Sequence, residues 1–411
     1  MPRLISMSIV LVVLSQLHAE DWPEFRGPTG QGHYGKALPT EWSTTKNVVW
    51  KQTIPGKGWS SPIVQDGRVF LTTAVPVPGS KDQSLQALCL DAAKGKLLWQ
   101  TEVFRQDGAK APRIHKKNSH ASPTPLTDGR RLFVHFGHQG TACLDLDGKV
   151  LWRNTELRYV PVHGNGGSPI LVKDKLVFSC DGFDKQFVVA LDKDRGKVVW
   201  KTDRKCEAFK KFSFSTPLLI AANGREQIIS PTSDAVVAYD PADGKEIWRA
   251  KYDGYSLIPR PVFGHGMVFL SSGYDLPSLL AIRVNGRGDV TKSHIAWTIS
   301  KGAPLTPSPL LVKDELYMVS DGGLASCLDA KSGKVHWQKR IGGAFSASPV
   351  HADSRIYLQS EEGVTTVLKI GTAFEQIAQN KMEERTFASF AAADGAIYLR
   401  TESKLYRIQE K

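Results

Sequence analysis

The chain has 411 residues, 41% hydrophobic and 23% charged, which is enough to bury a substantial core and excludes a disordered or fibrous protein. An excess of 53 Lys and Arg over 41 Asp and Glu gives a formal charge of +12, favouring acidic ligands, polyanions or anionic surfaces without bearing on fold. Five Cys with no CxxC and no adjacent pair exclude sulfur-based metal binding, and the absence of GxSxG and HExxH removes two common hydrolase signatures.

Residues 1–19 read as a signal peptide: an apolar run from Leu4 to Leu14 follows Arg3 and precedes Ala19, and is too short to span a bilayer. Cleavage is expected after Ala19, with Leu17 as an unusual minus-three residue. No Cys stands at that point, so an exported soluble protein, periplasmic or extracellular and without a transmembrane segment, is expected in preference to a lipid-anchored one. Export also argues against nucleic acid as a partner. Residues 20–46 form a lead-in containing DWPEFRGPTGQG at 21–32, and 47–411 are expected to form a single domain.

That domain is written in repeats. Trp50, Trp99, Trp152, Trp200, Trp248, Trp297 and Trp337 are spaced by 49, 53, 48, 48, 49 and 40 residues. Five of them close or echo one phrase: LDAAKGKLLW from Leu90, LDLDGKVLW from Leu144, LDKDRGKVVW from Leu191, YDPADGKEIW from Tyr239 and LDAKSGKVHW from Leu328. A second landmark opens each unit: SSPIV (60–64), ASPTP (121–125), GSPIL (167–171), STPLL (215–219), PRPVF (259–263), PSPLL (307–311) and ASPVH (347–351), with a weaker eighth copy from Phe387. Each is followed by short apolar runs around a tight turn such as Asp66-Gly67. Four short antiparallel strands per unit predict an all-β fold, an eight-bladed β-propeller. The eighth unit ends without room for a Trp strand, so NVVWKQT (47–53) is predicted to complete it, closing the ring with strands from both termini. In the phrase, Asp bonds turn backbone, Gly permits a positive φ, and the Trp on the outermost strand docks on the next blade through its indole N–H. Blade seven lacks its Trp, and blade five has AIRVNGRGDVTKSHIAW instead of the phrase. Cys89, Cys143 and Cys327 share one register and read as buried strand residues; whether Cys180 and Cys206 pair stays open.

This motif set resembles the PQQ-like (pyrroloquinoline quinone repeat) β-propeller family, whose mark is a Gly followed four residues later by a docking Trp; the resemblance covers about residues 47–411. The resemblance implies one of two jobs. Quinoprotein dehydrogenase propellers hold PQQ in the central funnel against a Trp, with calcium and an Asp base. Non-catalytic members, similar to the outer-membrane assembly lipoprotein propeller, bind partner proteins. This chain lacks the adjacent Cys pair of the alcohol-oxidising members, has no CxxCH haem site, and matches no calcium-ligand motif.

In a propeller, loops from an outer strand to the next inner strand share one face with those joining second to third strands, while the repeated turns lie opposite. Basic loops and acidic loops are therefore expected to meet at one mouth. Trp59, Lys117, Asn118, His120, His163, Asn165, Arg260 and Arg385 are the candidate ligand-binding residues. Asp181, Asp321 and Glu361 are candidates for a general base or calcium ligand, each also readable as a turn residue. The reading adopted is a monomeric exported scaffold that binds a protein or other ligand through its basic mouth. A PQQ-dependent oxidoreductase acting on an alcohol or sugar, and a polyanion- or polysaccharide-binding propeller, are the alternatives.

Overall fold

The computed structural model describes residues 21–410; the signal-peptide reading of 1–19 lies outside them. Eight antiparallel blades follow one another. The first runs from its inner strand Ile63–Gln65 through Arg68–Pro76 and Gln83–Asp91 to its outer strand Leu97–Gln106. Later blades begin at Leu126, Ile170, Leu218, Val262, Leu310, Val350 and Ala391. The eighth consists of Ala391–Ala393, Ala396–Arg400 and Lys404–Ile408, and Val48–Thr53 pairs antiparallel with the last of these, so both ends of the chain share one blade. The core lies between blades, as where Phe70 and Leu85 of the first meet Leu132 and Val134 of the second. All five Cys are free thiols, Cys180 and Cys206 included.

The repeated phrase is the fastening between blades. The indole N–H of Trp50 donates to Ala92 O at 2.9 Å, Trp99 to Leu146 O at 2.9 Å and Trp152 to Lys193 O at 3.0 Å, each into the next blade's turn. Trp200, Trp297 and Trp337 repeat the contact, whereas Trp248, facing the irregular fifth blade, donates to Gln227 Oε1 of its own blade. The Gly of each phrase lies beneath the preceding blade's indole. At Gly196 φ is +69°, and a Cβ would sit 2.4 Å from the Trp152 ring. Gly196→Ala is therefore expected to cost about 1–3 kcal/mol, from left-handed strain together with overpacking. A lowered urea midpoint would record this; an unchanged one would remove Gly196 from the joint.

The two irregular blades are repaired from elsewhere. Blade five's insertion contributes Gly288–Asp289, which pairs parallel with Trp248–Arg249 on blade four's outer edge. In five blades an aromatic on the second strand faces the docking Trp, as Phe70 faces Trp99 and Tyr317 faces Trp337. In blade seven, where no Trp exists, Tyr357 stacks instead on Trp42 of the lead-in, with centroids 6.4 Å apart and planes at 19°. Asn380 Oδ1 of that blade accepts the Trp42 backbone N–H at 2.7 Å.

The rest of the lead-in is a strap across the ring's inner strands. Trp22 exchanges two backbone hydrogen bonds with Val64, and Pro23 O accepts from Thr127 N. Arg26 Nη2 donates to Pro309 O at 2.8 Å, Gln31 Oε1 accepts from Phe263 N at 2.6 Å, and His33–Tyr34 pairs parallel with Val350–Ala352. Asp21 Oδ1 accepts from Asp66 N in the first blade's turn, which places the strap at the face of the repeated turns. The channel is thus shut from that side.

Several imidazoles are held neutral by burial. His33, with Nδ1 3.2 Å from His351 Nδ1, is pushed down to about 4 by burial and then by His351 and Arg26. Burial, helped by His138, pushes His135 down to about 3. An unfolded His takes up a proton below about pH 6.5 while these stay neutral, so the unfolded chain binds more protons in that window. Stability present above pH 6.5 is therefore lost as pH falls towards 4, by up to about 1.4 kcal/mol per pH unit for each such group. A lower urea midpoint at pH 5 than at pH 7 is expected; equal midpoints would contradict it.

Candidate functional site

At the start of six inner strands a Ser or Thr before Pro is held extended by the proline ring, with Arg260 before Pro261 and Ser389 before Phe390 as the two departures. The hydroxyl at this position accepts the backbone N–H of the same position one blade earlier. Ser61 N donates to Thr124 Oγ1, Thr124 N to Ser168 Oγ and Ser168 N to Thr216 Oγ1, at 2.9–3.0 Å. After one gap the chain of bonds resumes: Arg260 N to Ser308 Oγ, Ser308 N to Ser348 Oγ and Ser348 N to Ser389 Oγ. Both breaks in this hydroxyl belt carry a buried arginine. Between blades eight and one, Arg400 Nη1 donates to Ser60 O, Ser60 Oγ and Thr72 O, and burial pushes its guanidinium down to about 9. Between blades four and five the belt residue is Arg260 itself.

Arg260, a candidate ligand-binding residue, is buried against the strap. Its side chain is 2% exposed and points into the channel, where Nε donates to Pro217 O and Nη1 to Glu24 Oε1 at 2.9 Å and Phe25 O at 2.6 Å. Gly30 of the strap, at φ +66°, lies against the guanidinium, and a Cβ there would approach within 2.3 Å. The position that lacks a hydroxyl therefore anchors the strap, because a guanidinium has donors enough for two carbonyls and a carboxylate. Burial raises the Glu24 carboxyl and the Arg260 charge opposes that rise.

Above belt and strap opens a blind funnel of about 970 Å³ with Phe25 among its lining residues. Among the expected site residues, Trp59, Lys117, Asn118 and His163 line it. Trp59 meets Phe387 edge-on at 4.7 Å, and Arg385 lies 5.0 Å over the Phe387 ring. Lys117 Nζ reaches Glu361 Oε1 at 2.7 Å. Asn118 is a brace: Nδ2 donates to His163 O while Oδ1 accepts from Ser119 N and Ser122 Oγ. His163 packs its ring edge-on to Phe212 and His115.

The remaining candidates stand elsewhere. His120 is partly buried and outside the lining, its pKa lowered by burial. Asn165 is tied to Tyr159 Oη and His138 Nδ1 behind the funnel wall. Asp181 is buried beside Arg204, 3.3 Å away, and burial pushes its carboxyl up to about 6. Asp321 accepts the N–H groups of Leu305 and Thr306 and the Thr306 hydroxyl, and Glu361 accepts from Lys117 and Ser346. Asp321 and Glu361 are each engaged in holding a loop, whereas Asp181 has only its ion pair with Arg204. Among the described residues no group of three or more His, Cys, Asp or Glu could hold a metal ion.

The most exposed large apolar side chains lie at the mouth and carry no motif as marker in the sequence. Phe209 is 98% exposed, Leu276 85%, Phe183 77% and Val160 53%, all on loops of blades two to five on the funnel face. Phe183 lies beside Val160, its N–H donating to Val160 O. Arg113, Lys116, Lys185, Lys205 and Lys211 on neighbouring loops are solvent-facing and form no ion pair among the described residues. Composition alone signals Phe209, in FKKFSF (209–214), where Phe and Lys share a loop that has no strand to bury the Phe.

A family model described as outer membrane protein assembly factor BamB, built on PQQ repeats, matches the chain over residues 35–103, 79–202, 184–287 and 283–408. The outer membrane protein assembly factor BamB of Yersinia pestis is 25% identical over 242 residues, covering 54% of this chain and 58% of that protein's length. Among solved structures, BamB from Moraxella catarrhalis matches with a TM-score of 0.63 at 13% identity, over 89% of this chain and 97% of that one. The computationally designed Ika8 protein matches with a TM-score of 0.61 at 11% identity, over 87% and 98%. At such identities the structural likenesses establish the fold alone.

Proposed function

The chain belongs to the PQQ-repeat propeller family described as outer membrane protein assembly factor BamB, and from that premise we propose that it is an exported, protein-binding scaffold whose docking surface is the funnel rim of blades two to five. The observation that carries this reading is the quartet Val160, Phe183, Phe209 and Leu276, large apolar side chains left in water on loops of one face. Exposed apolar groups clustered and rimmed by charge mark interaction sites, whereas scattered single ones do not. The lysines around them carry no carboxylate partners, so the complementary occupant is a polypeptide segment that alternates apolar and acidic side chains. Apolar contact supplies affinity, and the surrounding charge selects and steers. The relatives, described as an outer membrane protein assembly factor, agree with a scaffold role.

Selecting a random twelve-residue peptide library on the immobilised protein tests this. Enriched sequences are expected to combine aromatic or aliphatic residues with Asp and Glu, and to bind more weakly as salt rises. Enrichment of basic or uncharged polar sequences would overturn the reading.

A further inference from the structure

The interior of the funnel differs chemically from its rim. Its volume of about 970 Å³ lies near the top of the range for small-molecule sites. Two aromatic walls face each other across it: Trp59 and Phe387 at the seam of blades eight and one, and Phe212, Phe214, Tyr255 and Tyr274 on the side of blades three to five. Between them the lining is largely hydroxyl, including Thr124, Ser168 and Thr216 on one flank and Thr306, Ser308 and Ser346 on the other.

Backbone pairing is not what this wall offers. The belt's N–H groups already donate to the next blade's hydroxyls, so an extended polypeptide entering the funnel finds few main-chain partners there. Serine and threonine hydroxyls instead both donate and accept, and the Thr124, Ser168 and Thr216 oxygens that accept an N–H keep their own protons to give, whereas Thr306 and Ser346 already donate to Asp321 and Glu361. Charge is unbalanced as well. Lys211 and His115 stand in the lining with no carboxylate partner, and Lys117 commits one of its three N–H groups to Glu361. The acids nearby are engaged, Asp184 by Val160 N and Asp321 by the 305–306 backbone.

Flat apolar faces, hydroxyl groups and a surplus of ammonium groups are the complement of sugar rings bearing carboxylates. The C–H face of a pyranose lies on an aromatic ring, its hydroxyls trade hydrogen bonds with Ser and Thr, and a carboxylate meets lysine in a charge-assisted bond. We infer that the funnel binds an acidic oligosaccharide, a short chain of uronate-bearing sugars, with Trp59 as a stacking platform and Lys117 and Lys211 as carboxylate partners. This site adjoins the apolar rim, whose Phe183 and Phe209 also line the funnel.

Titration calorimetry tests it with tetragalacturonate, uncharged maltotetraose, and PQQ with calcium as three ligands. Saturable binding of tetragalacturonate is expected, at least about tenfold tighter than maltotetraose. Trp59→Ala weakens that binding by roughly tenfold, as the loss of an aromatic contact predicts. Lys117→Met and Lys211→Met each narrow the preference for the acidic sugar. Since Lys117→Met strips a partner from buried Glu361, the solvent-facing Lys211 provides the independent variant if the first melts early. No saturation by tetragalacturonate at roughly ten millimolar, unchanged binding in Trp59→Ala and Lys211→Met, or binding of the quinone alone, overturns the inference.

Discussion

Replacing Arg260 by Met is expected to destabilise the protein by about 3–5 kcal/mol, the usual consequence of removing one partner of a buried ion pair. The side chain is 2% exposed and serves Glu24, Phe25 O and Pro217 O together. Its loss leaves a carboxylate at the bottom of the channel with no counter-charge and frees two carbonyls from their donors. The strap then loses its contact with the one inner-strand start that contributes no hydroxyl to the belt. Thermal denaturation and limited proteolysis both read this: a lower melting temperature, with early cleavage between residues 21 and 34. Adding Glu24→Gln to Arg260→Met is expected to recover part of the loss, because the pair is coupled and the second change removes the stranded charge. Wild-type melting and wild-type protection of the strap in Arg260→Met would show that the arginine is not its anchor.

Phe209→Asp is expected to weaken a library-selected acidic, apolar peptide by roughly thirtyfold or more, the effect of removing a hot-spot aromatic worth about 2 kcal/mol. The substitution also places a negative charge where an acidic partner must sit, which adds repulsion to the lost contact. Because Phe209 is almost wholly in solvent, folding stability is expected to change by less than about 0.5 kcal/mol. The two readouts separate binding from folding. Equal affinity in wild type and in Phe209→Asp would remove the rim from the binding surface.

The architecture was legible because the propeller writes each blade in the same local code. The phrase ending in Trp, the Asp-Gly turns and the Pro at seven inner strands are all contained within one unit, and Trp50 is assigned to the closing blade by counting. What escaped reading depends on pairing between units. Trp42 belongs to the lead-in, yet it packs on Tyr357 more than 300 residues later, and nothing local marks it as the ring blade seven lacks. Arg260 reads as a ligand contact because it is a basic residue at a loop's end. Its telling feature is positional: the other seven units carry Ser or Thr there, so its side chain cannot accept the preceding blade's N–H, and Glu24 of DWPEFRG supplies a partner for its charge. The acids Asp181, Asp321 and Glu361 illustrate the same limit, since only the fold reveals that Arg204, the 305–306 backbone and Lys117 occupy them.

The claim that the funnel rim is the docking surface is tested most directly by hydrogen–deuterium exchange of the protein with and without a library-selected peptide. The account predicts slowed exchange in residues 157–163, 182–186, 206–215 and 273–278, with the repeated turns at 92–96, 145–149 and 193–197 unchanged. Slowed exchange confined to those turns or to the outer strands, with the rim loops unaffected, would contradict it.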